Sequence, residues 1–241
     1  MPVYPINLNV QDRLCVVVGG GAVGARKALL LVRCGARVTV VSPEVTDALR
    51  PDIDSGAVCW RARGYCSVDL APGPFASLQE GGAPEETASV SGAVFLVIAA
   101  TDNPAVNARV GADARRRGVL CNIADRPEAC DFTLPAVVSR GDLTITVSTS
   151  GRSPALARKL RKELETLLGE EYAVGLRLMG AVRKKLLGEG RDPETHKIQF
   201  RRVIDGGLIS LIKEGRFAEV DRLLLDALGE GYTFDSLMKA V

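Results

Sequence analysis

The apolar positions of this chain fall into two regimes. Over residues 1–125, short apolar runs of strand length alternate with helix-like stretches. Leu14-Cys15-Val16-Val17-Val18 is continuous and apolar, and it breaks at three glycines. The spacing beyond them predicts a helix over 22–34, closed by Gly35, a residue suited to the position just past a helix end. Residues 37–42 read as a second strand stopped by Pro43, and 57–60 as a short third. Residues 93–100 are apolar throughout, as in a strand buried on both faces. Asn103-Pro104 then supplies a cap with proline at the first helical position, and that helix ends near Gly118. Residues 119–124 are another strand, ending at Asp125. Residues 65–92 are rich in Pro, Gly, Ser and Glu and lack periodicity, which predicts a long, partly disordered surface excursion.

The second regime begins at residue 126. Two β-like runs, 132–138 and 143–149, flank Arg140-Gly141-Asp142, a hairpin-type turn. After Ser153-Pro154, a second cap-plus-proline start, the chain reads as helical to Val241. Leu156, Leu160, Leu164, Leu167 and Leu168 recur at helical spacing and read as a core stripe. The predicted class is α/β. A parallel sheet with helices on both faces occupies 1–125, a β connector 126–150, and an all-helical domain 151–241.

The glycines give the front half its chemistry. Gly19, Gly21 and Gly24 make Gly-x-Gly-x-x-Gly between a strand and a helix, the Rossmann-type dinucleotide-binding turn. Gly19 permits a tight turn, Gly21 a close approach of backbone to pyrophosphate, and Gly24 close packing of helix on strand. The helix then directs free N–H groups and its positive dipole end at the phosphates.

Composition narrows the field. The 241 residues are 46% hydrophobic and 25% charged, with a formal net charge of +2. That balance supplies no global basic field, so no nucleic-acid partner is expected. No apolar run reaches the roughly 18 residues of a membrane span, and no signal peptide is readable at the start. A cytoplasmic protein with no membrane partner is the expectation. The six cysteines lack zinc-finger or Cys-x-x-Cys spacing, so they read as reduced thiols, with Cys15 and Cys121 in core strands. No metal site is expected. The single histidine, His196, lies in a charged stretch and reads as a surface residue.

In open parallel sheets a ligand sits outside the carboxyl ends of the strands. Four such ends are readable: Gly19 to Gly24, Ser42-Pro43-Glu44, Thr101-Asp102 and Asp125-Arg126-Pro127. Ser42 stands where NAD-binding folds often carry an acid. It can bond a ribose hydroxyl without repelling a 2′-phosphate, and together with its surroundings it favours NAD over NADP. Two readings of Asp125 stand side by side, a partly buried carboxylate tuned for proton transfer and a turn aspartate capping its own backbone. Ser148-Thr149-Ser150-Gly151-Arg152 opens the helical region. Its Arg152 lies in the loop, where it can meet an acidic ligand. Arg158, Lys159, Arg161 and Lys162 read instead as a solvated helix face.

Linked segments then match a known pattern: Pro5-Ile6 with Leu8, Ala25-Arg26-Lys27-Ala28, Ala99-Ala100-Thr101-Asp102, Cys121-Asn122-Ile123-Ala124-Asp125-Arg126-Pro127, and the run from Ser148 to Arg158. Over 5–168 the chain resembles the precorrin-2 dehydrogenase/sirohydrochlorin ferrochelatase family, the oxidase–chelatase module of siroheme synthase, in a stand-alone form. The resemblance implies NAD-dependent oxidation of precorrin-2 to sirohydrochlorin, followed in some members by iron insertion with Fe²⁺ as a substrate. It implies a homodimer built through the connector, and a key catalytic role for Asp125. The residues matching Ala22, Val23, Pro43 and Glu44 touch the dinucleotide, and Thr149 falls where some members carry a phosphorylatable serine. Such a substrate bears eight carboxylates, for which Arg126 and Arg152 are the candidate cations, with Ser148, Thr149, Ser150 and Gly151 beside Arg152. The excursion at 73–91 is longer than the family pattern. The fused methyltransferase domain is lacking, so precorrin-2 is expected from a separate enzyme. The competing reading is an NAD-binding regulatory or sensor module without turnover.

Overall fold

The computed structural model describes residues 3–70, 92–124, 126–189 and 193–239. The chain divides into two compact units, Pro2–Leu134 and Pro135–Val241.

Among the described residues the first unit is built on five parallel strands: β1 (Leu14–Val18), β2 (Arg37–Val41), β3 (Val58–Arg61), β4 (Val94–Ala99) and β5 (Leu120–Ile123). Their order is β3-β2-β1-β4-β5, so the chain reverses its direction of travel between β1 and β4. Alternation along β1 explains the two-sided cover. Cys15 and Val17 face a core shared with Ala25, Ala28 and Leu31 of α1 (Ala22–Arg33). Val16 and Val18 face the opposite core, with Val110 and Ala114 of α3 (Pro104–Arg116). Asn103 caps α3 by accepting from the amides of Ala105 at 2.9 Å and Val106 at 3.3 Å. A short helix, α2 (Arg50–Asp54), precedes β3. Burial pushes the thiols of Cys15 and Cys121 up to about 12, and Asp131 and Cys130 add to the effect at Cys121.

The start of the expected surface excursion is in fact ordered. Ser67–Asp69 form a turn of 3-10 helix, and the Asp69 side chain is fully buried. Asp69 accepts from Arg61 at 2.6 Å, from Arg63 at 2.5 Å and from the Cys66 amide at 2.9 Å. A second buried carboxylate, Asp113 on α3, accepts from the hydroxyls of Tyr65 at 2.9 Å and Ser67 at 2.7 Å, and pairs with Arg116. Proline and glycine content hid these polar anchors. The rest of the excursion, residues 71–91, lies outside the described residues.

The second unit opens with an antiparallel hairpin, β6 (Ala136–Arg140) and β7 (Leu143–Val147), joined through Gly141 at φ +56°. Among the described residues six helices follow: α4 (Pro154–Leu167), α5 (Glu171–Gly188), α6 (Pro193–Asp205), α7 (Leu208–Lys213), α8 (Phe217–Leu228) and α9 (Phe234–Met238). Leu178, Val182 and Leu186 of α5 pack with Val203, Leu208, Val220, Leu224 and Tyr232 into one core.

Two expectations fail here. The leucine stripe of α4 is core only in part: Leu156, Leu160 and Leu167 are 47%, 37% and 68% exposed. Of the stripe, Leu164 is partly buried and Leu168, just past the helix end, is buried, as is Ala157 on the neighbouring ridge. His196 is buried, 8% exposed, and its Nε2 has no hydrogen-bond partner among the described residues. It shares a helical face with the fully buried Val203, while Ile198 and Ile204 point outward. The charged residues of α6 masked that phase. No helix among the described residues is long and apolar enough to cross a membrane.

Burial alone would raise the Asp69 carboxyl. Its bonds to Arg63, the Cys66 amide and Arg61 outweigh that and hold it below the usual carboxylate range. At Asp113, burial is likewise outweighed by Ser67, Tyr65 and Arg116. Because both folded carboxyls ionise below the unfolded value of about 3.9, their contribution is present above that value. It is lost as pH falls through the folded values. Denaturant melts should find Asp113→Asn about 2 kcal/mol less stable than the parent at pH 7. That deficit should shrink as the pH is taken below about 4.

Candidate functional site

Three strand ends are drawn together by backbone crowding. Gly19, at φ +110°, follows β1, and a Cβ there would stand 2.4 Å from the Ala100 carbonyl oxygen. A Cβ at Gly20 would stand 2.3 Å from the Glu44 carbonyl oxygen, and one at Gly24 would stand 2.0 Å from that of Gly19. Backbone bonds run through the same crowd. Gly19 N–H donates to Val41 O at 3.0 Å, Thr46 N–H to Gly20 O at 3.0 Å, and Ala100 N–H to Val18 O at 2.8 Å. Ala124 N–H donates to Ala99 O at 2.8 Å, which brings the end of β5 into line.

Gly21 is different: a Cβ there would meet nothing within 4 Å. It is the N-cap of α1, in extended conformation at φ −70°, with no side-chain cap and no acid in the first helical turn. The amides that open a helix have no partner within it. The turn therefore presents open space, unopposed N–H groups and a positive dipole end. Such a cradle, at Gly21, Ala22, Val23 and Gly24, has the geometry to take a pyrophosphate. Val23 stands 42% exposed beside it.

The other candidates fall as follows. Ser42 is partly buried, and its carbonyl accepts from Trp60 Nε1 at 2.9 Å. Pro43 and Glu44 are exposed, as is Asp102. Thr101 is clamped by Asn107, whose Oδ1 accepts from the Thr101 hydroxyl at 2.7 Å and whose Nδ2 donates to the Thr101 carbonyl at 2.9 Å. Arg126 is exposed at the start of a 3-10 turn, Pro127–Ala129. Asp125 lies outside the described residues. In the second unit, Ser148, Ser150, Gly151 and Arg152 are exposed, with Ser150 at φ +52° and Gly151 at φ +77°. Thr149 Oγ1 accepts from the Ser153 amide at 3.2 Å, and Arg152 N–H donates to Thr149 O at 2.9 Å, so this loop is a compact turn capping α4.

Sequence reasoning missed Gly20 and Asn107. Gly20 occupies a variable position of the motif, and its need for glycine comes from the β2 loop, distant in sequence. Asn107 is one polar residue on a helix, and nothing in the pattern marks it as reaching back to the strand end.

The comparisons fit this geometry. Residues 6–136 match the family described as putative NAD(P)-binding, and the chain belongs to that family. Residues 140–167 match the central region of sirohaem biosynthesis proteins. Siroheme synthase of Methylococcus capsulatus is 33% identical over 227 residues, covering 94% of this chain and 44% of the relative. Siroheme synthase of Methylobacillus flagellatus is 41% identical over 172 residues, covering 71% of this chain and 32% of the relative. The chain thus spans less than half the length of these curated relatives. Among solved structures, SirC, a precorrin-2 dehydrogenase, shares the fold, with TM-score 0.68 at 22% identity over 90% of this chain and 98% of that one.

The cradle makes a clean prediction. Gly21→Ala should cost less than about 1 kcal/mol of stability, because its Cβ meets open space. It should still weaken dinucleotide binding at least tenfold, on the order of 1.4 kcal/mol. Gly24→Ala should instead cost about 1–3 kcal/mol of stability through overpacking. Melts with and without NAD⁺ separate the two, and unchanged affinity in Gly21→Ala would remove the cradle assignment.

Proposed function

We propose that this protein is a precorrin-2 dehydrogenase, oxidising precorrin-2 to sirohydrochlorin with NAD⁺. One observation carries the reading. A glycine turn built as a pyrophosphate cradle, in a segment matching the putative NAD(P)-binding family, is joined in one chain to a segment matching sirohaem biosynthesis proteins. Siroheme synthases align with nearly the whole chain.

The reaction removes two electrons and two hydrogens from the macrocycle. One hydrogen leaves as hydride to the nicotinamide, which supplies the redox chemistry when bound. The other leaves as a proton, and Asp125 is assigned as its acceptor. Gly19 to Gly24 hold the pyrophosphate; Ser42, Pro43 and Glu44 face the ribose; Thr101 and Asp102 close the site from β4. Ser42 favours NAD over NADP. Arg126 and the loop of Ser148, Thr149, Ser150, Gly151 and Arg152 bind the carboxylates of the substrate. The connector 126–150 is assigned to a homodimer. The uncovered leucine face of α4 supports that assignment, since an apolar ridge of this kind is a common mark of an interface.

The test is an anaerobic assay with precorrin-2 and NAD⁺, following sirohydrochlorin absorbance. Asp125→Ala should lower kcat at least 100-fold, within the range for loss of a general base, with NAD⁺ affinity within about threefold of the parent (0.65 kcal/mol). Equal turnover by both proteins would refute the role of Asp125. NAD⁺ binding without turnover in the parent would favour the sensor reading. Adding Fe²⁺ to sirohydrochlorin reads iron insertion separately.

A further inference from the structure

The dehydrogenase reading needs two parts of the first unit in fixed register. The glycine turn and α1 hold the hydride acceptor, and the turn after β5 carries the residues assigned to the proton and the substrate. These parts are not neighbours in the sheet, because β4 lies between β1 and β5. A side-chain bridge spans the gap. Lys27, partly buried on α1, donates from Nζ to Asn122 Oδ1 on β5 at 3.0 Å. Asn122 is 6% exposed, and its Nδ2 donates to the Phe132 carbonyl at 2.9 Å. With its NH₂ committed there, its oxygen is the atom that faces Lys27.

The bridge continues into the turn. Cys130 Sγ accepts from the Ile123 amide at 3.1 Å. The same sulfur lies 3.2 Å from the Arg126 carbonyl oxygen and 3.3 Å from that of Ile123, so its S–H has an acceptor on either side. Asp131 closes the base of the loop. Its N–H donates to Cys121 O at 2.9 Å, and its Oδ2 accepts from Cys121 N–H at 2.9 Å. Residues 121–124 and 126–132 are thus tied together through the Asn122 amide, the Cys130 thiol and the Asp131 carboxylate.

Strand β5 does not need these groups for its own pairing, because its ladder to β4 runs from Leu120 to Ile123 and continues at Ala124. The side-chain bonds instead tie β5 to the segment that follows it, at Cys130, Asp131 and Phe132. A misplacement of about 1 Å at a reacting centre can cost about 100-fold in rate, so bonds that fix the segment after β5 bear on rate as well as on stability. We propose that Lys27, Asn122 and Cys130 are positioning residues that lock the turn after β5 to the dinucleotide-binding helix. The proposal rests on the dehydrogenase reading for its effect on rate, but not for its effect on structure.

The test uses the full chain with Lys27→Met and Cys130→Ala, and with Lys27→Arg and Cys130→Ser as conservative partners. Three quantities are measured: NAD⁺ affinity, anaerobic kcat and KM, and amide hydrogen exchange over 121–131. The disruptive variants should lose about 10- to 100-fold in kcat while NAD⁺ affinity stays within about threefold (0.65 kcal/mol). Exchange over 121–131 should quicken, and the conservative variants should recover most of both effects. The proposal is overturned by kcat within about twofold of the parent (0.4 kcal/mol), by NAD⁺ affinity falling in step with kcat, or by conservative variants no better than disruptive ones. If the parent itself shows no turnover, the dehydrogenase reading falls. The exchange data then decide the bridge alone: faster exchange supports it and unchanged exchange overturns it.

Discussion

Backbone crowding at the carboxyl edge of the sheet governs the first unit. Gly19 lies so close to the Ala100 carbonyl, Gly20 to that of Glu44, and Gly24 to that of Gly19 that a Cβ at any of the three would force the backbone to shift. This is a constraint of volume, and it sets the chain path. The end of β1 must touch the ends of β2 and β4, because only backbone lies between them. From that contact follows the open space at Gly21, since α1 begins where the turn has run out of neighbours. The sheet order places the same point at its topological switch, where an open α/β sheet admits a ligand. Packing need and ligand access are therefore the same feature seen from two sides.

Polar groups fix what crowding leaves loose. The segment after β3 has few apolar anchors besides Leu70, so it is tied down by two buried carboxylates, Asp69 and Asp113. Each is satisfied from several directions, as burying a charge requires. Asn107 does a similar task for the end of β4, holding Thr101 through both its backbone and its hydroxyl. These are specific arrangements of donors around single acceptors, and none has a periodic signature in sequence.

That difference explains how far the sequence could be read. The strands around β1 were legible because they are apolar runs of the right length, and α3 and α4 because Asn103-Pro104 and Ser153-Pro154 mark their starts. The Gly-x-Gly-x-x-Gly turn was legible because each glycine answers to a steric need. The phase of α6 was not: its charged residues hide a buried face that includes His196 and Val203. The leucines of α4 show the opposite failure. Helical spacing revealed an apolar ridge, but periodicity cannot say whether a ridge is covered by the same chain. Asn107, Lys27 and Cys130 were illegible as site residues because their partners are distant in sequence or are backbone atoms.

The division of labour across the sheet has a consequence for chemistry. Adjacent strands lie about 4.8 Å apart, so the ends of β1 and β5 are separated by roughly 10 Å across β4. The proposed dehydrogenation needs the cofactor and the proton acceptor placed together around one substrate. Under that proposal the glycine turn holds the cofactor's pyrophosphate, and the turn after β5 carries the residue assigned to the proton. A rigid sheet fixes the spacing of strand ends but not of the loops beyond them. Side-chain bonds that cross from α1 to β5 and close on the loop backbone are therefore where precision has to be added. The Lys27–Asn122 bond and the enclosed Cys130 thiol lie at that junction.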